Sequence, residues 1–160
     1  MTFEEQLTEG EKFQDYVSDL LYDSGIPINQ YVSREYQYEK GESRAGVEIK
    51  YDKKMADTGN IYIELAERHS KDKKYIKSGI LRKDNTKFYV IGNYKRVFMF
   101  SKKQLVSIAK KFKRVQNDTS IGVLIPLKYI EEHDTLALIE WRDGKIYEKE
   151  NEQTIEPGKE

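Results

Sequence analysis

The apolar positions of this chain change period several times, and each change marks an element. Phe13, Val17, Leu20 and Leu21 recur at helical spacing, which predicts a helix over residues 8–24 with one buried stripe. Thr8 and Glu11 make a T-x-x-E capping box near its start, and Gly25 followed by Pro27 ends it. The period then falls to two. YVSREYQY, residues 31–38, mixes aromatic and β-branched residues with charge and predicts a half-exposed strand, with KGES at 40–43 as the turn after it. Residues 47–52 and 61–67 predict two adjoining strands joined by KKMADTG, in which Asp57 and Gly59 supply turn chemistry.

RHSKDKKYIK, residues 68–77, is a polar basic loop, after which Ser78-Gly79-Ile80 opens a short helical turn. FYVIGNY (88–94) and RVFMF (96–100) predict a hairpin. Ser101 with Gln104 makes an S-x-x-Q box before an amphipathic helix over 102–114, striped by Leu105, Ile108, Ala109, Phe112 and Val115. The apolar run 123–127 ends against Pro126. LALIEW (136–141), Asp143-Gly144 and KIYE predict a closing hairpin. The expected architecture is α/β: one domain over 1–148, a mixed central sheet with a helix to each side and a small C-terminal β appendage. Residues 149–160 read as a polar tail.

Alternation along the two central strands puts chemistry on one side. Glu48, Lys50 and Asp52 share a side of the first strand, opposite Ile49 and Tyr51. In the second, Tyr62, Glu64 and Ala66 oppose the apolar Ile61, Ile63 and Leu65. Glu48, Lys50, Asp52 and Glu64 can therefore turn to a common face. Three carboxylates against one amine make an expensive patch unless a cation holds it, and a divalent metal is the candidate. Plain cross-strand Glu–Lys pairing, at about 0.2–1 kcal/mol per pair, leaves the surplus of acids unexplained.

Composition sharpens this. With 38% hydrophobic and 35% charged residues over 160 positions, the chain can bury a core but carries a heavily charged surface. The absence of cysteine excludes disulfides and thiolate metal sites and fits a reducing compartment. No apolar run approaches the roughly 20 residues of a membrane span, and the acidic start MTFEEQLTEGEKF is unlike a signal peptide, so a cytoplasmic location is expected. The net charge of zero conceals a strong asymmetry. Residues 68–114 hold 16 Lys/Arg against 2 Asp/Glu, a net of +14, between flanks of −8 and −6. Such a block points to a polyanionic partner, with Lys73, Lys74, Lys77, Ser78, Lys102, Lys103, Lys110 and Lys111 as candidate nucleic-acid contacts. His69 and His133 lack metal-ligand spacing, and there is no Gly-rich phosphate loop.

EIKYD followed by TGNIYIE, then SGI, then the FYVI/VFMF pair leading into a Lys-rich helix, resembles the PD-(D/E)xK nuclease superfamily. The likeness is to small phage or bacterial members carrying a TGN-x-x-x-E strand, and it covers roughly residues 8–116. It implies a restriction-endonuclease-like core, a Mg²⁺ site (Mn²⁺ as substitute) where two strands splay, and hydrolysis of phosphodiester bonds in DNA, less often RNA. It also implies a bacterial or phage-infected cell, and a homodimer where two strands are cut.

Two registers of the motif are open. In one, Glu48-Ile49-Lys50 is the E-x-K and the earlier acid is Glu39 or Glu42. In the other, which is preferred, Asp52 and Glu64 are the acids, Ala66 stands where a lysine is expected, and Lys50 supplies the amine. The expected site is then Asp52, Glu64 and Glu48 as metal ligands with Lys50 as catalytic partner. Glu11 is a candidate outer-shell residue that its capping role also explains. The alternatives are an inactive nucleic-acid-binding module of the same fold and a phage accessory protein-interaction domain.

Overall fold

The computed structural model describes residues 1–26 and 46–149. The strand and turn expected at 31–38 and 40–43, the acids Glu39 and Glu42, and the tail from 150 onward lie outside the described residues.

Helix α1 spans Phe3–Asp23 and buries Phe13, Val17, Leu20 and Leu21, the expected stripe. It starts earlier than expected. The capping box is formed by Thr2 and Glu5: the Glu5 amide donates to Thr2 Oγ1 at 3.2 Å, and the Thr2 amide to Glu5 Oε2 at 2.8 Å. The chain contains two T-x-x-E patterns six residues apart. Nothing between them breaks a helix, so the earlier one caps it. Thr8 instead donates its hydroxyl to the Glu4 carbonyl inside the helix.

Nine strands form two sheets among the described residues. The first is mixed and five-stranded. Its order is β1 (Val47–Tyr51), β4 (Phe88–Gly92), β5 (Arg96–Ser101), β8 (Ile139–Arg142) and β9 (Lys145–Ile146), with only β1–β4 parallel. The second is antiparallel, in the order β3 (Ile76–Lys77), β2 (Asn60–Glu67), β7 (Ser120–Pro126) and β6 (Arg114–Gln116). The α/β class holds, but the expected single sheet does not.

The strands carrying the acidic residues part company because the chain between them is a helical turn. This is α2 (Met55–Thr58), anchored by buried Met55 and closed by Gly59 at φ 69°. The C-terminal hairpin is likewise no appendage. β8 pairs with β5, and Trp141, opposite Val97, is buried beneath α1. The remaining helices are α3 (Lys102–Ala109) and α4 (Leu127–Glu132), with a 3₁₀ turn at Gly79–Leu81. Ser101 Oγ accepts from the Gln104 amide, as its sequence box requires, but α3 stops at Ala109. Val115, expected on its stripe, lies in β6 opposite Gly122.

Three layers result. Val47, Ile49, Val90, Val97, Met99 and Trp141 face α1 on one side of the mixed sheet. On the other side Tyr89, Ile91, Phe98 and Phe100 meet Ile61, Ile63, Leu65, Val123 and Ile125 of the antiparallel sheet. That second side was expected to be covered by a helix. β4 is covered on both faces, which is why FYVIG reads as a continuous apolar run. No helix among the described residues is long and apolar enough to cross a membrane.

Candidate functional site

β1 and β2 begin from one segment and diverge into different sheets, so the edge of β2 nearest β1 lacks a strand partner. β3 covers only its last two residues, Ala66 and Glu67. A cleft of about 620 Å³ opens there, bordered by Lys50, Asp52, Tyr62, Glu64, Val115 and Leu124 among others.

Asp52 stands one residue past β1 and ties the two sheets together. Its Oδ2 accepts the Tyr62 amide at 2.9 Å, on the open edge of β2, and its Oδ1 accepts the Lys54 amide at 3.1 Å. Glu64 is held from the opposite direction. Ser78 Oγ donates to Glu64 Oε1 at 2.7 Å. Ser78 is itself pressed into place by its neighbour. Gly79 adopts φ +51°, and a Cβ there would stand 2.2 Å from the Glu64 carbonyl oxygen, so glycine is required for the approach. The Tyr89 hydroxyl then donates to the Gly79 carbonyl at 2.8 Å. An ionised carboxylate has about four acceptor positions, so both acids keep capacity directed at other partners.

Lys50 lines the same cleft, its side chain 47% exposed and its Nζ 2.7 Å from Glu48 Oε1. Glu48 does not join the other two acids. Alternation does place it on the same side as Lys50, but that side faces the antiparallel sheet, and Glu48 is only 1% exposed. It sits among Lys50, Arg82 at 3.7 Å and the Thr86 hydroxyl at 3.4 Å. Beyond it Arg82 pairs with Asp84 at 3.0 Å, and Lys102 reaches Asp84 at 3.0 Å and the Arg82 carbonyl at 2.6 Å. Burial opposes the charge on Asp84, but the Thr86 amide, Lys102 and Arg82 together hold its pKa below the ordinary value. Burial, with the charges of Glu48 and Asp84, pushes the Tyr89 phenol far above its usual range. Glu48 is thus held apart in its own buried network, and no group of three or more acidic, His or Cys side chains of metal-binding geometry occurs among the described residues.

A bulge between Glu64 and Ala66 further revises the expected pattern. It sets Ala66 opposite Ile121, while Ser120, whose hydroxyl bonds that of Tyr62, lies on the face shared by Tyr62. Position 66 thus leaves the face of Glu64, and a lysine there would not enter the cleft. The lysines that border the cleft are Lys50, Lys53 and Lys54.

The candidate nucleic-acid contacts divide into two sets. Lys73, Lys74, Lys77, Lys103, Lys110 and Lys111 are exposed. The loop carrying the first three docks on the turn beside the cleft: the Tyr75 hydroxyl donates to the Asn117 carbonyl at 2.7 Å, and Arg68 Nε to that of Asp118 at 2.7 Å. Lys102 and Ser78 are turned inward, the lysine 18% exposed at Asp84 and the serine 1% exposed on Glu64. Glu11 is exposed on α1 and does not border the cleft.

Sequence reasoning missed the Arg82–Asp84–Lys102 network and the task of Ser78. A two-residue S-G signal and one aspartate in a basic block carry no hint of their partners. Comparison with known proteins adds no kinship: no family model, curated protein or solved structure matches the chain.

Proposed function

We propose that this chain is a metal-dependent nuclease that hydrolyses phosphodiester bonds in DNA, with a restriction-endonuclease-like core of the PD-(D/E)xK type. The observation that carries the reading is that Asp52 and Glu64, one just past β1 and one within the diverging β2, border one cleft. Each is fixed by hydrogen bonds, both border one cleft, and Lys50 stands beside them. Mg²⁺ prefers one or two carboxylates completed by waters and substrate phosphate, so two acids with spare acceptor positions fit it without a third. Asp52 and Glu64 would hold it, and when bound it supplies polarisation of the phosphoryl oxygen and a more acidic bound water.

The protein's own contribution is positioning. Two backbone amides aim Asp52, and Ser78, backed by Gly79 and Tyr89, aims Glu64. The Lys50 ammonium group faces charge that develops on the phosphoryl oxygens. The exposed lysines of the 68–77 loop and of the segment after α3 hold the phosphate backbone, giving position without reading sequence.

The test is cleavage of labelled single-stranded, duplex and branched DNA with Mg²⁺, comparing wild type with Asp52→Asn and Glu64→Gln. Glu64→Gln keeps an acceptor for the Ser78 hydroxyl, and Asp52→Asn keeps one for one of its two amides, so each loses at most one hydrogen bond and should fold. Cleavage should fall at least about 100-fold, the upper end of what loss of even an outer-shell metal partner costs. Undiminished cleavage by both variants would sink the site. Tight DNA binding without cleavage by wild type favours the second reading, a binding module of the same fold.

A further inference from the structure

We infer that Tyr62 is a stacking platform for an unpaired nucleobase, which commits the cleft to single-stranded or frayed DNA in preference to continuous duplex. The inference rests on the nucleic-acid reading above and adds the form of the substrate.

Tyr62 lies on the face of β2 turned away from the core, directly opposite Leu124 in register. Its ring packs directly against Gly122. A Cβ at that glycine would stand 2.5 Å from Tyr62 Cε2 and Cζ, and 2.5 Å from the Ile63 carbonyl oxygen. Any larger residue would lift the ring off the sheet. The hydroxyl is tied to that of Ser120, so both ends of the side chain are held. A ring fixed in advance loses little freedom when a ligand covers it.

The surroundings say what kind of ligand. Leu124 and Val115, exposed at 38% and 37%, flank the ring on the same outward face and border the same cleft. An exposed apolar surface beside two carboxylates suits a molecule with a flat apolar part and an anionic, metal-seeking part. A nucleotide is such a molecule. The Tyr62 amide touches Asp52, and Glu64 follows two residues along the strand, roughly 6.6 Å away by strand rise. A base on Tyr62 therefore leaves its phosphate beside the two acids. A base within a duplex has both faces covered by its neighbours and offers none to Tyr62 unless it leaves the stack. A cleft of about 620 Å³ is also on the scale of a small ligand, enough for a nucleotide or two and far short of a duplex turn.

A purely structural tyrosine, covering a glycine in a sheet, predicts something different. For that role Leu should substitute adequately, since it also covers Gly122, whereas stacking needs a π-face and is kept by Phe. The experiment is fluorescence anisotropy of the full chain with an oligothymidylate and with a duplex of equal length, in Ca²⁺, for wild type, Tyr62→Phe and Tyr62→Leu. Wild type should prefer the single strand. Tyr62→Phe should stay within about twofold, and Tyr62→Leu should lose about 10–100-fold on the single strand with little change on duplex. A single-strand affinity unchanged in Tyr62→Leu would overturn the stacking role while leaving the nucleic-acid reading intact. Failure of wild type to bind either DNA would overturn both. Because Tyr62→Leu could disturb the sheet, wild-type protein is also irradiated with an oligonucleotide carrying 5-iodouracil. A crosslinked peptide containing Tyr62 supports stacking, and crosslinking confined to other residues overturns it.

Discussion

Two pairs of acids, each with one member in or next to β1, meet opposite fates. Glu48 and Asp84 are enclosed and answered by the protein's own cations, Lys50, Arg82 and Lys102. Asp52 and Glu64 border an open cleft, and the contacts that hold them are neutral donors: two backbone amides and one serine hydroxyl. Neutral donors orient a carboxylate without cancelling its charge. Cations cancel it. The first pair is therefore built to hold the 82–84 loop and the start of α3 against β1, and the second is built to keep its charge for a visitor. Lys50 belongs to both settings, with Nζ 2.7 Å from Glu48 and the residue bordering the cleft, so the closed network also anchors the amine beside the open pair.

The contrast is most directly broken at Asp84. Asp84→Ala removes the carboxylate that answers Arg82 and Lys102, and stranding buried charges should cost about 3–5 kcal/mol of stability in urea unfolding. Equal stability of wild type and variant would show that the network is ornamental. Ser78→Ala should do the converse. It frees Glu64 to turn and should lower cleavage about 10–100-fold, as loss of an outer-shell partner does, with a smaller stability change than Asp84→Ala. Cleavage at the wild-type rate would remove Ser78 from the site.

Acid distinguishes the clusters further. Asp84 has its pKa lowered by folding, so the native state binds its proton less readily than the unfolded chain. Its contribution is complete above the ordinary carboxyl range, about pH 4, and is lost as pH falls through the lowered native value. Midpoints of thermal unfolding measured downward from pH 5 should drop more steeply for wild type than for Asp84→Asn. Parallel curves would contradict the assignment. The smallest effect separates the lysines. Lys110→Ala should flatten the salt dependence of DNA binding by about one phosphate contact, and Lys102→Ala should leave that slope unchanged while lowering stability. The reverse pattern would place the DNA on the wrong side of α3.

Much of this could be read along the chain. The stripe of α1, the β4–β5 and β8–β9 hairpins, the Ser101 cap and the 3₁₀ turn after Ser78 follow from spacings of two to four residues and from local turn and cap chemistry. Asp52, Glu64 and Lys50 could also be singled out as candidates, because alternation assigns a side to each strand residue. Alternation does not say what will cover that side. Glu48 obeys the same rule as Lys50, yet it is sealed by Arg82, 34 positions further on. The bulge before Ala66 reversed one side assignment outright.

Periodicity and capping are settled among near neighbours, where each residue's preference is its own, and the chain declared them openly. Which strand pairs with which, and so whether β1 and β2 would share a sheet or part around a cleft, was left to contacts between distant segments. There the burial of Met55, Tyr89 and Trp141 outweighed the short path between adjoining strands. The division of acids into a closed network and an open site belongs to that second level, because a carboxylate's role depends on which cation or cavity the folded chain brings to it.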